Sequence, residues 1–316
     1  MNKGGAEQGG HSSKQVENIV LVGRTGNGKS ATGNSLIGKR VFVSKAHASG
    51  VTTKCQTHEA VTKDGHRINV IDTPGLFDIA LSAEFISKEI VRCLTLAEGG
   101  IHAVILVLSA RTRMTQEEES TLSTLQALFG SQILAYVIVV FTGGDVLKEN
   151  NETLEEYLGR DCPAFIREVI KLSGNRMVLF NNRTHDEGKK AEQVHKLLSL
   201  VDKIRKTHHG EAYTDDMYHE IKAEQHKLRK QHEELESKNH PVDLVSLMKD
   251  KLQASYQEKM DQMSSTMEKK LKTALKEQDN MSSALSATVG FLPDGMPTVS
   301  VSVPMKPLRG GHCSIL

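Results

Sequence analysis

Residues 23–30 read GRTGNGKS, and this stretch decides the fold. It fits GxxxxGK[ST], a loop whose glycines let the backbone turn tightly with its N–H groups facing inward. The apolar run IVLV at 19–22 leads into it, and the residues after it, through Ile37, suit a helix. A nest of backbone donors capped by a helix N-terminus is an anion site. The pattern therefore implies a triphosphate held by Gly23, Arg24, Thr25, Gly26, Asn27, Gly28, Lys29, Ser30 and Ala31. Lys29 is placed to reach the β- and γ-phosphates and to neutralise charge developing there, and Ser30 to put its hydroxyl on Mg²⁺.

Outward from the loop, four more short apolar runs follow: INVI at 68–71, VILVL at 104–108, VIVVF at 137–141 and MVLF at 177–180. They are β-branched and do not alternate, which marks strands covered on both faces. Helical patterns lie between and after them at 84–97, 115–128, 152–172 and 187–206. Strand-helix alternation at this spacing predicts an α/β fold of the P-loop NTPase type, a mostly parallel sheet with helices on both faces. THEAVTK at 57–63 alternates weakly and reads as an edge strand paired with 67–71 across the Asp64-Gly65 turn.

Four further segments complete the site. DTPG at 72–75 follows the second strand, so Asp72 can hold the magnesium or its water shell and the Gly75 N–H can approach the γ-phosphate. GVTTKC at 50–55 lies between the two motifs; Thr52 and Thr53 both qualify as the loop threonine that completes the metal site, and Thr52 is preferred. FTGGD at 141–145 extends the fourth strand. A carboxylate at Asp145 can accept from guanine N1–H and the exocyclic amine, a pair that adenine lacks, so GTP/GDP is the expected ligand rather than ATP. FNNRT at 180–184 follows the last strand and offers Asn181 or Asn182 to the base.

Composition sets outer bounds. The chain has 316 residues, 38% of them hydrophobic and 25% charged, with a formal net charge of +1. Those values suit a soluble domain with some extended helix and give no electrostatic reason to expect nucleic acid. Cys55, Cys93, Cys162 and Cys313 form no CxxC pair and read as reduced cytosolic thiols. Residues 1–15 are polar, lack a signal-peptide core and read as a flexible leader before a domain at 16–210. From 211 to 289 the chain turns rich in Lys, Glu, Gln, Met and Leu, with a break at Pro241. Met248, Leu252, Tyr256, Met260, Met263, Met267, Leu271 and Leu275 then recur every three or four residues. This amphipathic stripe suits a helix that closes the chain's own core or pairs with another subunit, as a coiled coil would. Residues 290–316 read as a disordered tail. It ends in Cys313, Ser314, Ile315 and Leu316, a CaaX pattern that favours geranylgeranylation of Cys313 and attachment to the cytosolic face of a membrane. Only Lys306, Arg309 and His312 stand nearby, so a second contributor is needed for stable anchoring.

The ordered set GRTGNGKSATGNSLIG, DTPGLFD, LSARTRMTQEE, FTGGD and FNNRT resembles the immune-associated nucleotide-binding GTPases, the AIG1-type family. LFD after DTPG, and VVFTGGD with TLEEYL, look more like its plant branch. The resemblance covers 16–210 and implies a GTPase domain related to septins and chloroplast import GTPases, followed by a helical extension. Carried over by position, Gly23 to Ser30 form the P-loop, Thr52 lies in the first switch and Asp72 to Gly75 in the second. Thr142 to Asp145 read the base, with Asn182 as a base contact. Arg113, in the family's box at 108–118, matches an arginine that in dimerising members acts across the dimer on the partner's nucleotide. The implied function is a GTP-binding switch or scaffold whose slow Mg²⁺-dependent hydrolysis is stimulated when G domains pair as a homodimer or homo-oligomer in the GTP state. The alternative is a nucleotide-dependent interaction module with negligible hydrolysis.

Three departures bear on that choice. Gly143 stands where a Ras-like NKxD motif has lysine, so the aliphatic stem that packs on the base is missing. Leu76, not glutamine, follows DTPG, and no side chain there can orient an attacking water. Glu117 and its neighbours are not assigned as a general base.

Overall fold

A computed structural model describes residues 16–44, 52–62, 65–76, 78, 81–112, 116–159, 162–238, 241–284, 288–291 and 297–300. The apolar runs become strands and the periodic segments between them become helices. In chain order these are β1 (Glu17–Val22), α1 (Lys29–Ile37), β2 (Gln56–Val61), β3 (Arg67–Asp72), α2 (Ala83–Leu96), β4 (Ala103–Ser109) and α3 (Gln116–Phe129). Then come β5 (Val137–Thr142), α4 (Gly144–Glu149), α5 (Leu154–Leu158), α6 (Ala164–Leu172), β6 (Met177–Phe180) and α7 (Glu187–Thr207). Two longer helices, α8 (Asp216–Ser237) and α9 (Val242–Ala284), precede β7 (Thr288–Phe291) and β8 (Pro297–Ser300).

The sheet runs β2-β3-β1-β4-β5-β6. Every neighbouring pair is parallel except β2 with β3. Strands β1, β4 and β5 are buried along their whole length, which explains their unbroken apolar sequence. Strand β2 is the antiparallel edge, and its mixed burial matches the weak alternation of its sequence. Because β1 lies between β3 and β4, its carboxyl end opens at the point where the strand order reverses. Open α/β sheets bind ligands at such a switch point, and the glycine-rich loop emerges there.

The extension is continuous with this core. Tyr213 and Ile101 exchange backbone hydrogen bonds of 2.8 and 2.9 Å, and Lys222 Nζ on α8 donates to the Thr95 carbonyl of α2 at 2.9 Å. Met260, Met263, Met267 and Leu271 are buried in the same hydrophobic cluster as the sheet, with α9 lying along α2, α3 and α8. The middle of the methionine stripe thus closes the chain's own core. Its ends, Met248 and Leu275, are 36% and 37% exposed.

One expectation is corrected. The helix expected over 152–172 is two helices, α5 and α6. A capping box between Thr153 and Glu156 starts α5, and Pro163, which cannot donate a backbone hydrogen bond, stands at the N-cap of α6. Beyond α9, β7 pairs antiparallel with β8.

Candidate nucleotide-binding site

Backbone geometry shapes the P-loop. Gly23 has φ 140°, and a Cβ there would collide with the Val107 carbonyl oxygen of β4, so only glycine fits between the two strands. The loop is then laced to the neighbouring strand ends. Asn27 Nδ2 donates to the Val107 carbonyl at 3.0 Å, and Thr142 Oγ1 donates to the Asn27 carbonyl at 2.7 Å. Thr142 thus acts first as a brace, joining the base-recognition segment to the phosphate loop. Helix α1 begins at Lys29, with Ser30 and Ala31 in its first turn.

Lys29 is buried and folds back on its own loop. Its Nζ donates to the Gly23 and Arg24 carbonyls at 2.9 and 3.0 Å. Burial pushes its pKa down to about 8, and the nearby carboxylates of Asp72 and Asp78 oppose the shift. An ammonium held this way gains strongly from an incoming polyphosphate.

Ser30, Thr52 and Asp72 converge beside it. Ser30 Oγ donates to Asp72 Oδ2 at 2.6 Å. Thr52 Oγ1 lies 3.2 Å from Ser30 Oγ and donates to the same carboxylate oxygen at 3.4 Å. Asp72 Oδ1 is buried with no hydrogen-bond partner among the described residues. Burial raises the Asp72 pKa, while Ser30, Lys29 and Thr52 hold it down. Two hydroxyls and a carboxylate with an unsatisfied oxygen form a hard-oxygen set of the kind Mg²⁺ takes. The residues present therefore fit the metal. The choice between the two threonines follows chain direction: Thr52 turns inward, whereas Thr53 is exposed. Three residues on, Cys55 anchors this segment to α2. Its N–H donates to Glu89 Oε2 at 2.5 Å, and Arg92 Nε donates to its carbonyl at 3.0 Å.

The DTPG segment lies against the loop. Thr73 Oγ1 donates to the Leu21 carbonyl at 2.7 Å, fastening the segment to β1. A Cβ on Gly75 would fall 2.8 Å from the Thr25 backbone nitrogen, so Gly75 closes on Thr25 only because it lacks a side chain. Arg24 Nε lies 3.8 Å from Asp78 Oδ1 across the same gap. Leu76 is 1% exposed. It points into the core rather than toward a water.

At the base end, Asp145 occupies the first turn of α4. Arg111, just beyond β4, pairs with its Oδ2, and Arg183 Nη1 lies 3.9 Å from the same oxygen. Asp145 Oδ1 is buried and has no hydrogen-bond partner among the described residues. Asn182, the expected base contact, lies beside α1. Its Nδ2 donates to Thr32 Oγ1 at 3.0 Å and its Oδ1 accepts from Ser35 Oγ at 2.9 Å, so both ends of the amide are engaged by α1. Asn181 caps its own turn, accepting from the Arg183 N–H at 2.9 Å. Arg113 and Cys313 lie outside the described residues.

Sequence reasoning missed Arg111. It stands two residues before Arg113 in the basic loop after β4, and nothing in the sequence pairs it with Asp145. The register supplies the link: Ser109 sits opposite Thr142 in the β4–β5 ladder, which brings both strand ends to one rim.

The chain is 68% identical to Immune-associated nucleotide-binding protein 7 of Arabidopsis thaliana over 316 residues, covering 100% of both chains. It is 56% identical to Immune-associated nucleotide-binding protein 3 of the same plant over 273 residues, 86% of this chain and 82% of that one. Among solved structures, Toc33 from Arabidopsis thaliana in complex with Mg²⁺ and GMPPNP is 18% identical with a TM-score of 0.46, covering 60% of this chain and 86% of that one. The model of the AIG1 family matches residues 17–232. Matched by that model over more than half its length and by relatives of this identity, the chain belongs to the AIG1 family.

Proposed function

We propose that this protein is a GTP-binding switch or scaffold that hydrolyses GTP to GDP and phosphate with Mg²⁺, slowly by itself and faster when two G domains pair. The observation that carries the reading is the convergence of Ser30, Thr52 and Asp72 beside the P-loop, with Asp72 Oδ1 buried and unpartnered. Bound there, Mg²⁺ supplies neutralisation of the β- and γ-phosphate charge. Lys29 exchanges its bonds to the Gly23 and Arg24 carbonyls for phosphate oxygens. The Thr52 and Gly75 segments approach the γ-phosphate from opposite sides, and both reorder when it leaves. Asp145 selects guanine through Oδ1, which has no hydrogen-bond partner among the described residues.

Slow intrinsic turnover follows from Leu76. Its side chain is buried, so the attacking water must be oriented from elsewhere. The reading assigns that task to pairing, with Arg113 reaching the nucleotide of the second copy. Its support is the match of Arg113 to the family's box. Turnover per molecule should rise with protein concentration. Arg113→Ala should abolish the rise while leaving GTP affinity within about twofold of wild type. Flat turnover across concentrations at which light scattering shows dimers would exclude paired catalysis. It would favour the second reading, an interaction module that binds GTP without appreciable hydrolysis, for which the buried Leu76 already speaks.

Membrane attachment is a separate proposal. Its support is the C-S-I-L pattern, with Cys313 as the lipidated residue. Intact-mass measurement on protein from cells, with and without Cys313→Ser, tests it. An unmodified Cys313 in the membrane fraction would count against it.

A further inference from the structure

We propose that Arg111 replaces the missing lysine of the base-recognition segment: its side chain forms the wall against which the guanine ring packs, and its guanidinium orients Asp145 to read the ring's edge. This rests on the guanine-nucleotide reading above.

Three observations meet at this position. First, Gly143 leaves a space that Arg111 fills. Gly143 has φ 91°, and a Cβ built there would lie 2.9 Å from Arg111 Cγ and 3.4 Å from the Arg111 backbone nitrogen. The loss of a side chain on one strand end and the arginine on the next are therefore one arrangement. Second, the Arg111 guanidinium pairs with Asp145 Oδ2, leaving Oδ1 buried and unpartnered. A carboxylate fixed through one oxygen holds the other in a set direction, for a donor that the described residues do not supply. Guanine N1–H and its 2-amino group are such donors. Third, the Arg111 side chain is 33% exposed, so one face remains open to a ligand.

Arginine suits this double task better than lysine. Its guanidinium is planar and weakly hydrated and stacks on aromatic faces, while its stem adds apolar contact. Held to Asp145, it is already ordered, so little entropy is lost when the ring arrives. The other cation near Asp145 is a poorer candidate. Arg183 is 3.9 Å away with its side chain 71% exposed.

The test measures the affinity of the full chain for GDP·Mg²⁺ and for inorganic tripolyphosphate·Mg²⁺. Wild type is compared with Arg111→Ala, Arg111→Met, Arg111→Lys and Arg183→Ala. Arg111→Ala should weaken GDP about tenfold, the scale of a desolvated cation–π contact. Tripolyphosphate, which has no base, should bind unchanged. Arg111→Met, which keeps a stem, and Arg111→Lys, which keeps stem and charge, should each recover part of the loss; they also stand in if the alanine variant fails to fold. Arg183→Ala should shift GDP by less than about threefold. Unchanged GDP affinity in Arg111→Ala, or a parallel loss of tripolyphosphate, overturns the proposal. Tighter GDP binding also overturns it and makes Arg111 a latch that competes with the base. If wild type binds tripolyphosphate but shows no preference for GDP over ADP, the guanine reading itself falls, and this inference with it.

Discussion

Ser30 Oγ donates to Asp72 Oδ2 at 2.6 Å, joining the P-loop to the DTPG segment across 42 residues of sequence. The bond places a helix N-terminal hydroxyl and a strand-end carboxylate at one corner. The other carboxylate oxygen, Asp72 Oδ1, is buried without a partner. Asp72→Asn should therefore remove most of the Mg²⁺ dependence of nucleotide affinity, while GDP binding in EDTA changes little. Titration calorimetry with and without Mg²⁺ reads this directly. Burial raises the Asp72 pKa, so protons compete with the cation sooner than at an ordinary aspartate. Mg²⁺-dependent affinity should accordingly weaken as pH falls, and the fall should be smaller in Asp72→Asn, which keeps only the titration of the nucleotide's own phosphates.

Lys29 gives a stability prediction of defined sign. Its folded pKa, about 8, lies below the ordinary lysine value of 10.5. Between those two values the unfolded chain binds more protons than the fold does, so stability rises with pH across that window. The cost of the buried ammonium is fully present below the window. Nucleotide-free protein should gain up to ~3 kcal/mol from this group between pH 8 and 10.5. Urea denaturation of wild type and Lys29→Met at several pH values isolates the effect, since the variant should lose that component. Saturating GDP should flatten it, because phosphate charge holds the ammonium protonated.

Asp145→Asn should exchange the preferred base. An asparagine amide can donate to the C2 carbonyl of xanthine but presents that N–H₂ to the 2-amino group of guanine. GDP affinity should fall about 100-fold or more, with xanthosine diphosphate becoming the better ligand. Competition of the two nucleotides for a fluorescent analogue measures it. Equal losses for both would mean that Asp145 supports the fold rather than the base.

Met267 tests the docking of α9. It is fully buried, whereas Met248 on the same helix is 36% exposed. Met267→Ala should cost about 2–5 kcal/mol by leaving a cavity, and Met248→Ala less than about 1 kcal/mol. Chemical denaturation provides both values. Equal effects would place the helix elsewhere in solution.

Gly75 probes the contact between DTPG and the P-loop. Gly75→Ala introduces a methyl 2.8 Å from the Thr25 backbone nitrogen. It should destabilise this closed arrangement by about 1–3 kcal/mol. Hydrogen exchange should show faster opening confined to residues flanking Thr25 and Gly75, with the sheet unchanged.

By itself, the sequence determined the sheet, the loop and the chemistry of the ligand. Five short apolar runs alternating with helical patterns fit a covered, mostly parallel sheet, and GRTGNGKS between the first run and a helical segment fits a phosphate loop. Those properties are local or periodic, so they survive without coordinates. The loop sequence admits both Thr52 and Thr53; the approach of Thr52 to Ser30 and Asp72 is a tertiary contact, made where Cys55, three residues on, is pinned to α2. Tertiary structure alone decided where the methionine stripe docks, because an amphipathic face records that it will be buried and not against what. It also decided the partners of the base-end side chains. Asn182, the expected base contact, spends its amide on Thr32 and Ser35, while Arg111, a basic residue in a loop, meets Asp145 over Gly143. Such pairings depend on strand order and register, which bring distant residues to one rim, and no spacing in the chain encodes that distance.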